Sequence, residues 1–432
     1  MNFFFYIRGF SQEFLDRIHS ISYAGNDIYI RLGSSVAKLN PAFSSFKSEY
    51  IFAQIDKKLE TLKRDSSASD WINLSVGDIA LPLAPVITEA IIRATEEMGA
   101  EAGLKGYPPT QGYYFLRQAI VENELKNLSL TPEEIHISDG INSDAVHILD
   151  LLHPKSRIAL PNPTYPAYFN ACIIEGRKKH ALFLPCLPQH RFLPIPPVES
   201  CDVIYLCTPS NPTGTALTRT DLAAWVTYAQ KSGALLCIDS AYAAFVTSPD
   251  VPKSIYEIPG AETCAVEWRS FSKTAGFTGL RCAYSVIPKG ITGWLGRKKI
   301  PLHLLWERRQ AIKFNGVSYP IQRGAEASLS PEGQKQTRRQ IEHYLSMAKK
   351  LREGLKRLGY QCCGGVDSPY IWWKTPEGMS SWQFFDHLLK ECHLIAMPGV
   401  GFGSEGEGYI RLSAFATTRS IEATLERLEK RL

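Results

Sequence analysis

A lysine with hydroxyl residues before it and an arginine after it is the strongest chemical signature in this sequence. Lys273 follows the mostly apolar run 264–268; Ser270 and Ser272 precede it, and Arg281 comes eight positions later. A lysine amine can form a Schiff base with a carbonyl group, whereas serine and arginine donate hydrogen bonds that suit a phosphate. The glycines in between let the backbone approach a ligand closely. This combination favours a site for a phosphorylated aldehyde over a surface lysine in a polar turn.

Three further side chains follow apolar runs and suit the ring of such a ligand. Asp239 ends the run 234–238, and Tyr242 comes three residues later. A carboxylate can keep a pyridine nitrogen protonated, and a phenol can bond to a ring oxygen. Asn211, in a proline-rich turn, offers an amide donor to the same oxygen and to a substrate carboxylate. Each feature alone is more typical of a helix cap or a turn, so the functional interpretation depends on their combination with Lys273.

Weaker candidates extend the predicted site towards an amino-acid substrate. Backbone N–H groups of the turn 138–143, which includes Ile141 and Asn142, could hold a phosphate where a helix begins. Tyr165 could stack on a cofactor ring, although an aromatic residue in a turn is more often structural. Arg411 lies in a predicted strand near the C-terminus, where most arginines are paired or snorkel to the surface. Its functional alternative is a clamp on a substrate α-carboxylate through two parallel hydrogen bonds.

The elements that must position these residues alternate between short apolar strands and helices. Strands are predicted at 135–138, 157–160, 203–207, 234–239, 263–268 and 282–287. Helices are predicted at 85–98, 113–125, 143–152, 165–175 and 220–231. Such alternation predicts a mostly parallel sheet covered by helices on both faces, with ligand sites at the carboxyl ends of the strands. We therefore expect an α/β fold with a three-layer αβα large domain and a small α+β domain.

Domain boundaries follow from where this alternation starts and stops. Residues 1–38 show no clear period and are predicted to be an N-terminal extension. Residues 39–75 are predicted to form an N-terminal arm and part of the small domain, and residues 76–330 the large domain. A long charged helix at 331–358 then leads into the strands and helices of the small C-terminal domain, residues 331–432.

The composition argues against several classes of function. With 48 basic and 43 acidic residues the net charge is only +5, and the basic clusters are short, so no nucleic-acid partner is expected. No apolar run approaches the ~20 residues that cross a bilayer, so no membrane partner is expected. The ten cysteines lack metal-ligand spacing and several lie in apolar runs, which predicts reduced, buried thiols in a cytoplasmic protein and no metal site.

Taken in order, these motifs resemble the fold-type I pyridoxal 5′-phosphate (PLP) aminotransferases of class I and II. The resemblance runs from about Asn40 to the C-terminus, and its motifs are Gly106–Tyr107, Gly112, Leu116–Ile120, Asn211–Gly214, Asp239–Tyr242, Ser270–Arg281 and Arg411. Within this family, the chain is most similar to the LL-diaminopimelate aminotransferases. The stretches that carry this similarity are Tyr50–Phe52, Asn73–Asp78, Pro163–Tyr168, Pro252–Ile255, Phe314–Gly316 and Pro398–Gly403.

The resemblance implies a role for each candidate residue. Lys273 would hold PLP covalently and move a proton, while Asp239 at the ring nitrogen and Tyr242 at the ring oxygen would be the other catalytic residues. The further residues that bind the cofactor would be Tyr107, Ile141, Asn142, Tyr165, Asn211, Ser270, Ser272 and Arg281. Contacts to the substrate would come from Tyr50, Gly77, Tyr165, Asn211, Asn315 and Arg411. The family also implies a homodimer with shared active sites, in which Tyr107 and Asn315 are the candidates to reach the partner's site.

The implied reaction moves an amino group from an amino acid to a 2-oxo acid. The specific expectation is LL-diaminopimelate with 2-oxoglutarate, in lysine and peptidoglycan precursor synthesis. Two departures leave the substrate open: Thr110 stands where the family usually has glutamate, and Asn142 where it has lysine. In the family both positions help to recognise the far end of diaminopimelate. Because such a site discriminates against ligands without its charged partners, an amino acid with a lysine-like, aromatic or otherwise neutral far end is an alternative substrate.

Two other functions are weighed against transamination. A carbon–sulfur lyase on the same scaffold would perform β-elimination on a thioether and would need no amino acceptor. A non-enzymatic regulator would need an added DNA-binding domain, for which the leader before the family match is short and not basic. A degenerate homologue should have lost Lys273, Asp239 or Arg281, and all three are present.

Overall fold

The structure of the chain, a computed structural model, describes residues 18–24, 27–32, 38–46, 51–65 and 70–431. The chain divides into two units, Met1–Ser48 and Glu49–Leu432. In the first unit, strands β1 (Ile18–Ala24) and β2 (Asp27–Leu32) pair as an antiparallel hairpin. The hairpin lies within residues 1–38, where the sequence analysis predicted no strand or helix. It was missed because two short strands give a weaker periodic pattern than a helix does.

A seven-stranded sheet forms the centre of the second unit. Its strands are β4 (Ile135–Ser138), β5 (Ile158–Asn162), β6 (Ala181–Pro185), β7 (Val203–Cys207), β8 (Leu235–Asp239), β9 (Ala265–Ser270) and β10 (Ala283–Val286). The order is β4-β10-β9-β8-β7-β5-β6; β10 runs antiparallel to both of its neighbours, and the other pairs are parallel. The expected mostly parallel sheet is confirmed. The edge strand β6, which is partly exposed, adds one strand to the prediction.

Helices flank this sheet because its strands bury side chains on both faces. The helices are α2 (Pro85–Met98), α3 (Tyr114–Asn123), α4 (Ile141–His147), α5 (Pro166–Ile174), α6 (Arg219–Ser232), α7 (Phe271–Thr274), α8 (Leu302–Lys313) and α9 (Tyr319–Leu329). Cys237 of β8 lies in a core with Tyr168 of α5, whereas Leu236 and Ile238 lie in another core with Trp225 of α6. Since alternate residues of a strand point to opposite faces, these two cores lie on either side of the sheet. The result is the expected three-layer αβα arrangement.

A four-stranded antiparallel sheet and its helices form the α+β part. Its strands are β13 (Cys362–Gly364), β14 (Tyr370–Lys374), β16 (Met397–Pro398) and β17 (Tyr409–Ser413), in the order β13-β14-β17-β16. A separate pair joins β3 (Ile72–Asn73) in parallel to β15 (Leu394–Ile395). The helices are α1 (Ile51–Asp65), α10 (Pro331–Arg357), α11 (Ser381–Cys392) and α12 (Thr418–Arg431). One core contains Ile55, Trp373 and Phe384. The domain boundaries proposed above stay predictions.

The elements differ from the sequence prediction in two further places. The helix predicted at 143–152 begins two residues earlier, at Ile141, as α4, and it passes into a 3-10 turn at Ile148. Helices α8 and α9 and the exposed hairpin of β11 (Thr292–Leu295) and β12 (Lys298–Pro301) were not predicted, since basic residues interrupt the apolar pattern there. Among the described residues, no helix is long and apolar enough to cross a membrane.

Candidate active site

A cavity of about 360 Å³ opens at the carboxyl ends of β7, β8 and β9, and most of the predicted site residues line it. Those residues are Gly77, Ile141, Asn142, Tyr165, Asn211, Asp239, Tyr242, Ser270, Ser272, Lys273, Arg281 and Arg411. Parallel strands end at the same edge of a sheet, so residues far apart in sequence meet there. Tyr168 and Tyr370 also line this cavity, although the sequence analysis did not assign them a role.

Lys273 lies in the short helix that begins where β9 ends. Ser270 caps this helix by accepting a hydrogen bond from the Ser272 N–H group at 3.0 Å. The Lys273 amine donates a hydrogen bond to the Gly77 carbonyl and lies 5.5 Å from the centroid of the Phe415 ring. The pKa of this amine is lowered to about 8, mainly by loss of water around it; Asp78 opposes the shift, and nearby Arg411 and Arg281 contribute to it. An amine with this pKa is partly uncharged near neutral pH and can act as a nucleophile or a base.

Asp239 ends β8 and is buried. The Tyr168 hydroxyl donates a hydrogen bond to Oδ2, and the Ala241 N–H group donates one to Oδ1 at 3.0 Å. Burial raises the pKa of this carboxyl, and the two hydrogen bonds oppose the rise. A buried carboxylate without a cationic partner strongly favours a ligand that brings a protonated nitrogen. The role of Tyr168 was missed because, in the sequence, it is an ordinary aromatic residue in a helix.

Tyr242 and Tyr370 form a buried pair of phenols. Their hydroxyl oxygens lie 2.8 Å apart, and their rings meet edge to face with centroids separated by 5.2 Å. Burial raises the pKa of both phenols, so both are protonated at neutral pH. Tyr242 was predicted as a site residue, whereas Tyr370 lies in β14, 128 residues later, and no local motif connects the two.

Arg411 lies in β17 with its side chain only 2% exposed. It donates one hydrogen bond to Asn211 Oδ1 at 2.7 Å and another to the Ser75 carbonyl. Its Nε has no hydrogen-bond partner among the described residues, and within that part of the chain no carboxylate pairs with it. A buried guanidinium that lacks an anion is costly unless a ligand supplies one. Its planar fork matches a carboxylate.

Arg281 and the start of α4 form the other polar end of the cavity. Arg281 has a positive φ of 64° and donates hydrogen bonds to Ser272 Oγ at 3.3 Å and to the Thr278 carbonyl at 3.0 Å. A Cβ at Gly140 would overlap the Arg281 guanidinium, so glycine is needed where this loop meets the arginine. Donors of this kind suit a phosphate group.

Two of the predicted residues that the structure describes are not part of the cavity. Tyr107 is 88% exposed, and Asn315 is also exposed; neither lines the cavity in a single copy of the chain. Tyr50 lies outside the described residues. Of the two positions that depart from the resembled family, Asn142 lines the cavity and Thr110 does not.

Comparison with known proteins finds aminotransferases that match most of the chain. Residues 69–428 match the family model for aminotransferase class I and II. The chain is 43% identical over 410 residues to an LL-diaminopimelate aminotransferase of Bacteroides fragilis, which covers 92% of this chain and 100% of that relative.

Two solved structures extend the comparison to the fold. The L,L-diaminopimelate aminotransferase from Chlamydomonas reinhardtii has a TM-score of 0.87 and 34% identity, covering 92% of this chain and 99% of that one. A mutant aspartate aminotransferase from Thermus thermophilus has a TM-score of 0.78 at 21% identity, covering 92% and 100%, a likeness that concerns the fold alone. Together with the family match over residues 69–428, these likenesses establish that the chain belongs to the class I and II aminotransferases.

Proposed function

We propose that the chain is a PLP-dependent transaminase that takes the amino group of LL-diaminopimelate and passes it to 2-oxoglutarate. The observation that carries this proposal is the convergence of Lys273, Asp239 and Arg411 in one cavity. An amine of lowered pKa, a buried carboxylate, and a buried guanidinium that no carboxylate of the described residues pairs with are what a carbonyl cofactor and an amino-acid substrate require. The identity to LL-diaminopimelate aminotransferases supports the choice of substrate.

The residues present fit PLP. Ser270, Ser272, Arg281 and the first turn of α4, with Ile141 and Asn142, would hold its phosphate. Asp239 would bond to the ring nitrogen, Tyr242 and Asn211 to the ring oxygen, and Tyr165 would contact the ring. Bound there, PLP supplies an electron sink that accepts negative charge from the substrate carbon next to the amino group.

Three side chains would then move the proton, bind the substrate and keep the ring nitrogen protonated. The Lys273 amine, with its pKa near 8, moves a proton to and from the substrate Cα. Arg411 binds the α-carboxylate and fixes which substrate bond faces Lys273. Asp239 keeps a proton on the nitrogen that it faces, because its buried negative charge favours a cation beside it.

A half-reaction screen tests this function. Single amino acids are added to the PLP-loaded protein, and the loss of its visible absorbance is followed. We expect LL-diaminopimelate to react at low concentration, whereas lysine and the aromatic amino acids react poorly. A protein that binds no PLP, or that reacts with another amino acid and ignores LL-diaminopimelate, would contradict the proposal. Release of pyruvate from a thioether substrate without any amino acceptor would instead indicate a lyase.

A different amino-acid substrate is the second candidate, and Asn142 is the observation that favours it. This neutral side chain lines the cavity at the position where the resembled family carries a lysine. The double variant Thr110→Glu, Asn142→Lys restores both charges. If the natural substrate lacks a charged far end, the variant should gain activity with LL-diaminopimelate and lose it with that substrate. If LL-diaminopimelate is natural, the variant should gain little.

We also propose that two copies of the chain complete each other's sites. Tyr107 and Asn315 are exposed and lie outside the cavity of their own copy, as residues directed at a partner would. Mixing inactive Lys273→Ala and Tyr107→Ala proteins after unfolding and refolding tests this. Since half of the dimers are hybrids with one intact site, about a quarter of the wild-type activity should return. No recovery from two inactive parents, or an active monomer, would contradict shared sites.

A further inference from the structure

Tyr370 connects site residues that come from distant parts of the chain. It begins β14, lines the cavity and is 1% exposed. Its hydroxyl lies 2.8 Å from that of Tyr242, and the Arg411 guanidinium lies 4.5 Å from the centroid of its ring. A Cβ at Gly77 would overlap the Tyr370 hydroxyl, so the turn that holds the Lys273 amine rests against it. One side chain therefore contacts or adjoins three groups of the site.

We propose that Tyr370 is a positioning residue that orients the Tyr242 hydroxyl towards the cavity and holds the Arg411 guanidinium in the plane that receives a carboxylate. This inference rests on the proposed function, because it assigns both groups to one reaction. The hydroxyl of Tyr370 serves the first role and its ring serves the second, so the two roles can be separated by substitution.

The position of Arg411 favours one direction for the hydrogen bond between the two phenols. Burial raises the pKa of both, but Arg411 counteracts this rise more effectively at Tyr370, against whose ring it lies. The charged or titratable neighbours of the pair include Cys207 and Asp239, which act in the opposite sense to Arg411. Since the more acidic phenol is the better donor, the proposed arrangement has Tyr370 donating to Tyr242 across the 2.8 Å between the two oxygens. Tyr242 then keeps its own proton for an acceptor in the cavity, and chains of this kind strengthen each bond.

The ring of Tyr370 restrains the Arg411 guanidinium through stacking. A guanidinium stacks on an aromatic face with its N–H groups in the plane of the fork. Arg411 has the face of Phe402 at 4.8 Å as well as Tyr370 at 4.5 Å, and its two terminal nitrogens bond to Asn211 and to Ser75. Because two rings and two acceptors restrain it, loss of one ring should loosen its orientation without unfolding the chain.

The first test removes the hydroxyl and keeps the ring. We expect Tyr370→Phe to raise the pH midpoint of the visible absorbance of bound PLP by about 0.5 unit, since Tyr242 becomes a weaker donor. The value of kcat should fall about fivefold, while KM for the amino acid changes less than twofold. Tyr228→Phe is the matched control, because its hydroxyl donates to the Glu199 carbonyl at 2.7 Å away from the cavity. Equal midpoints and kcat in the two variants would overturn the role of the hydroxyl.

The second test removes the ring and needs no cofactor. Binding of glutarate, a dicarboxylate probe, to PLP-free protein is measured by calorimetry for wild type, Tyr370→Phe and Tyr370→Met. We expect Tyr370→Met to weaken binding at least about fivefold and Tyr370→Phe to leave it unchanged. Equal binding by wild type and Tyr370→Met, or no binding to wild type, would overturn the role of the ring.

The two tests keep the two proposals apart. If wild type binds no PLP, the proposed function fails, yet the glutarate measurement still decides whether Tyr370 holds Arg411. If PLP binds and amino acids react while Tyr370→Phe behaves like Tyr228→Phe, the function stands and the role of the Tyr370 hydroxyl is overturned. If Tyr370→Met does not fold, Tyr370→Leu replaces it in the glutarate measurement with the same expected loss, while Tyr370→Phe decides the role of the hydroxyl.

Discussion

The two sides of the cavity are built in different ways. The sheet side comprises Asp239, Tyr242, Ser270, Lys273 and Arg281, all within 43 residues of one another in the sequence. The clamp side comprises Gly77, Tyr370 and Arg411, which come from three distant segments. Arg411 illustrates the distance, because its partners Asn211 and Ser75 lie 200 and 336 residues away.

This difference separates reaction from recognition. The sheet side follows two adjacent parallel strands, β8 and β9, so their order alone brings a carboxylate and an amine to one edge. The clamp side needs the small sheet to be packed correctly, since the paired strands β14 and β17 carry Tyr370 and Arg411 two register positions apart. We expect changes on the sheet side to affect the chemical step, and changes at Arg411 or at the ring of Tyr370 to affect substrate binding. The Tyr370 hydroxyl acts through Tyr242, so its loss should affect the chemical step as a sheet-side change does.

The largest effect should come from the sheet side. Lys273→Ala removes the only group proposed to move the substrate proton, and transamination should fall at least about 10³-fold. The visible absorbance of bound PLP should also change, because the covalent link is lost. Lys231→Ala, at an exposed position in α6, is the control. A Lys273→Ala protein that kept most of its activity would remove the basis for calling this side catalytic.

The second-largest loss of activity should come from a clamp-side substitution that keeps the positive charge but changes the shape of the group that carries it. Arg411→Lys keeps the charge but loses the planar fork, so kcat/KM should fall about 100-fold, mostly through KM. Arg419→Lys, exposed in α12, should be neutral. A loss confined to kcat would break the comparison, because Arg411 would then act on the chemical step.

An intermediate effect should test the contact between Gly77 and Tyr370. Gly77 has no positive φ, so Gly77→Ala is strained chiefly by its overlap with Tyr370, whose hydroxyl is the nearest atom and whose ring carbon Cζ lies 3.0 Å from the added Cβ. We expect a roughly tenfold loss of kcat/KM, and partial recovery when Tyr370→Phe is added, as a double-mutant cycle measures. Gly293→Ala, where a Cβ meets open space, is the control. Additive losses in the double variant would contradict a direct contact.

The smallest effect concerns stability and the pKa of Lys273. In PLP-free protein the folded amine loses its proton near pH 8, whereas the unfolded chain keeps it to about pH 10.4. The unfolded state therefore binds more protons in this range, and the free energy of unfolding rises with pH. Lys273→Met removes this cost, so urea unfolding should show a gain of about 1–3 kcal/mol at pH 7 that vanishes above pH 10. An equal gain at both pH values would contradict the lowered pKa.

Prediction from sequence succeeded where a signal was local. The strands β4 and β7 and the helix α2 lie where the sequence predicts them, because each is a short apolar run or an amphipathic stretch between clear turn residues. Helix α8 was missed, since its buried Arg309 and Gln310 make its inner face look polar. Tyr168 was missed because a phenol in a helix has no pattern that indicates a carboxylate partner.

The sequence by itself determined the chemistry of the sheet side and the family. Apolar strands each followed within a few residues by Asn211, Asp239 or Lys273 predict an edge where these side chains meet, and that reasoning needs only the handedness and direction of strands. Only the tertiary structure decided which side chains support them. The pairing of Tyr242 with Tyr370, and an Arg411 Nε that finds no hydrogen-bond partner in the described part of the chain, depend on burial and on packing between two sheets, which no periodicity encodes.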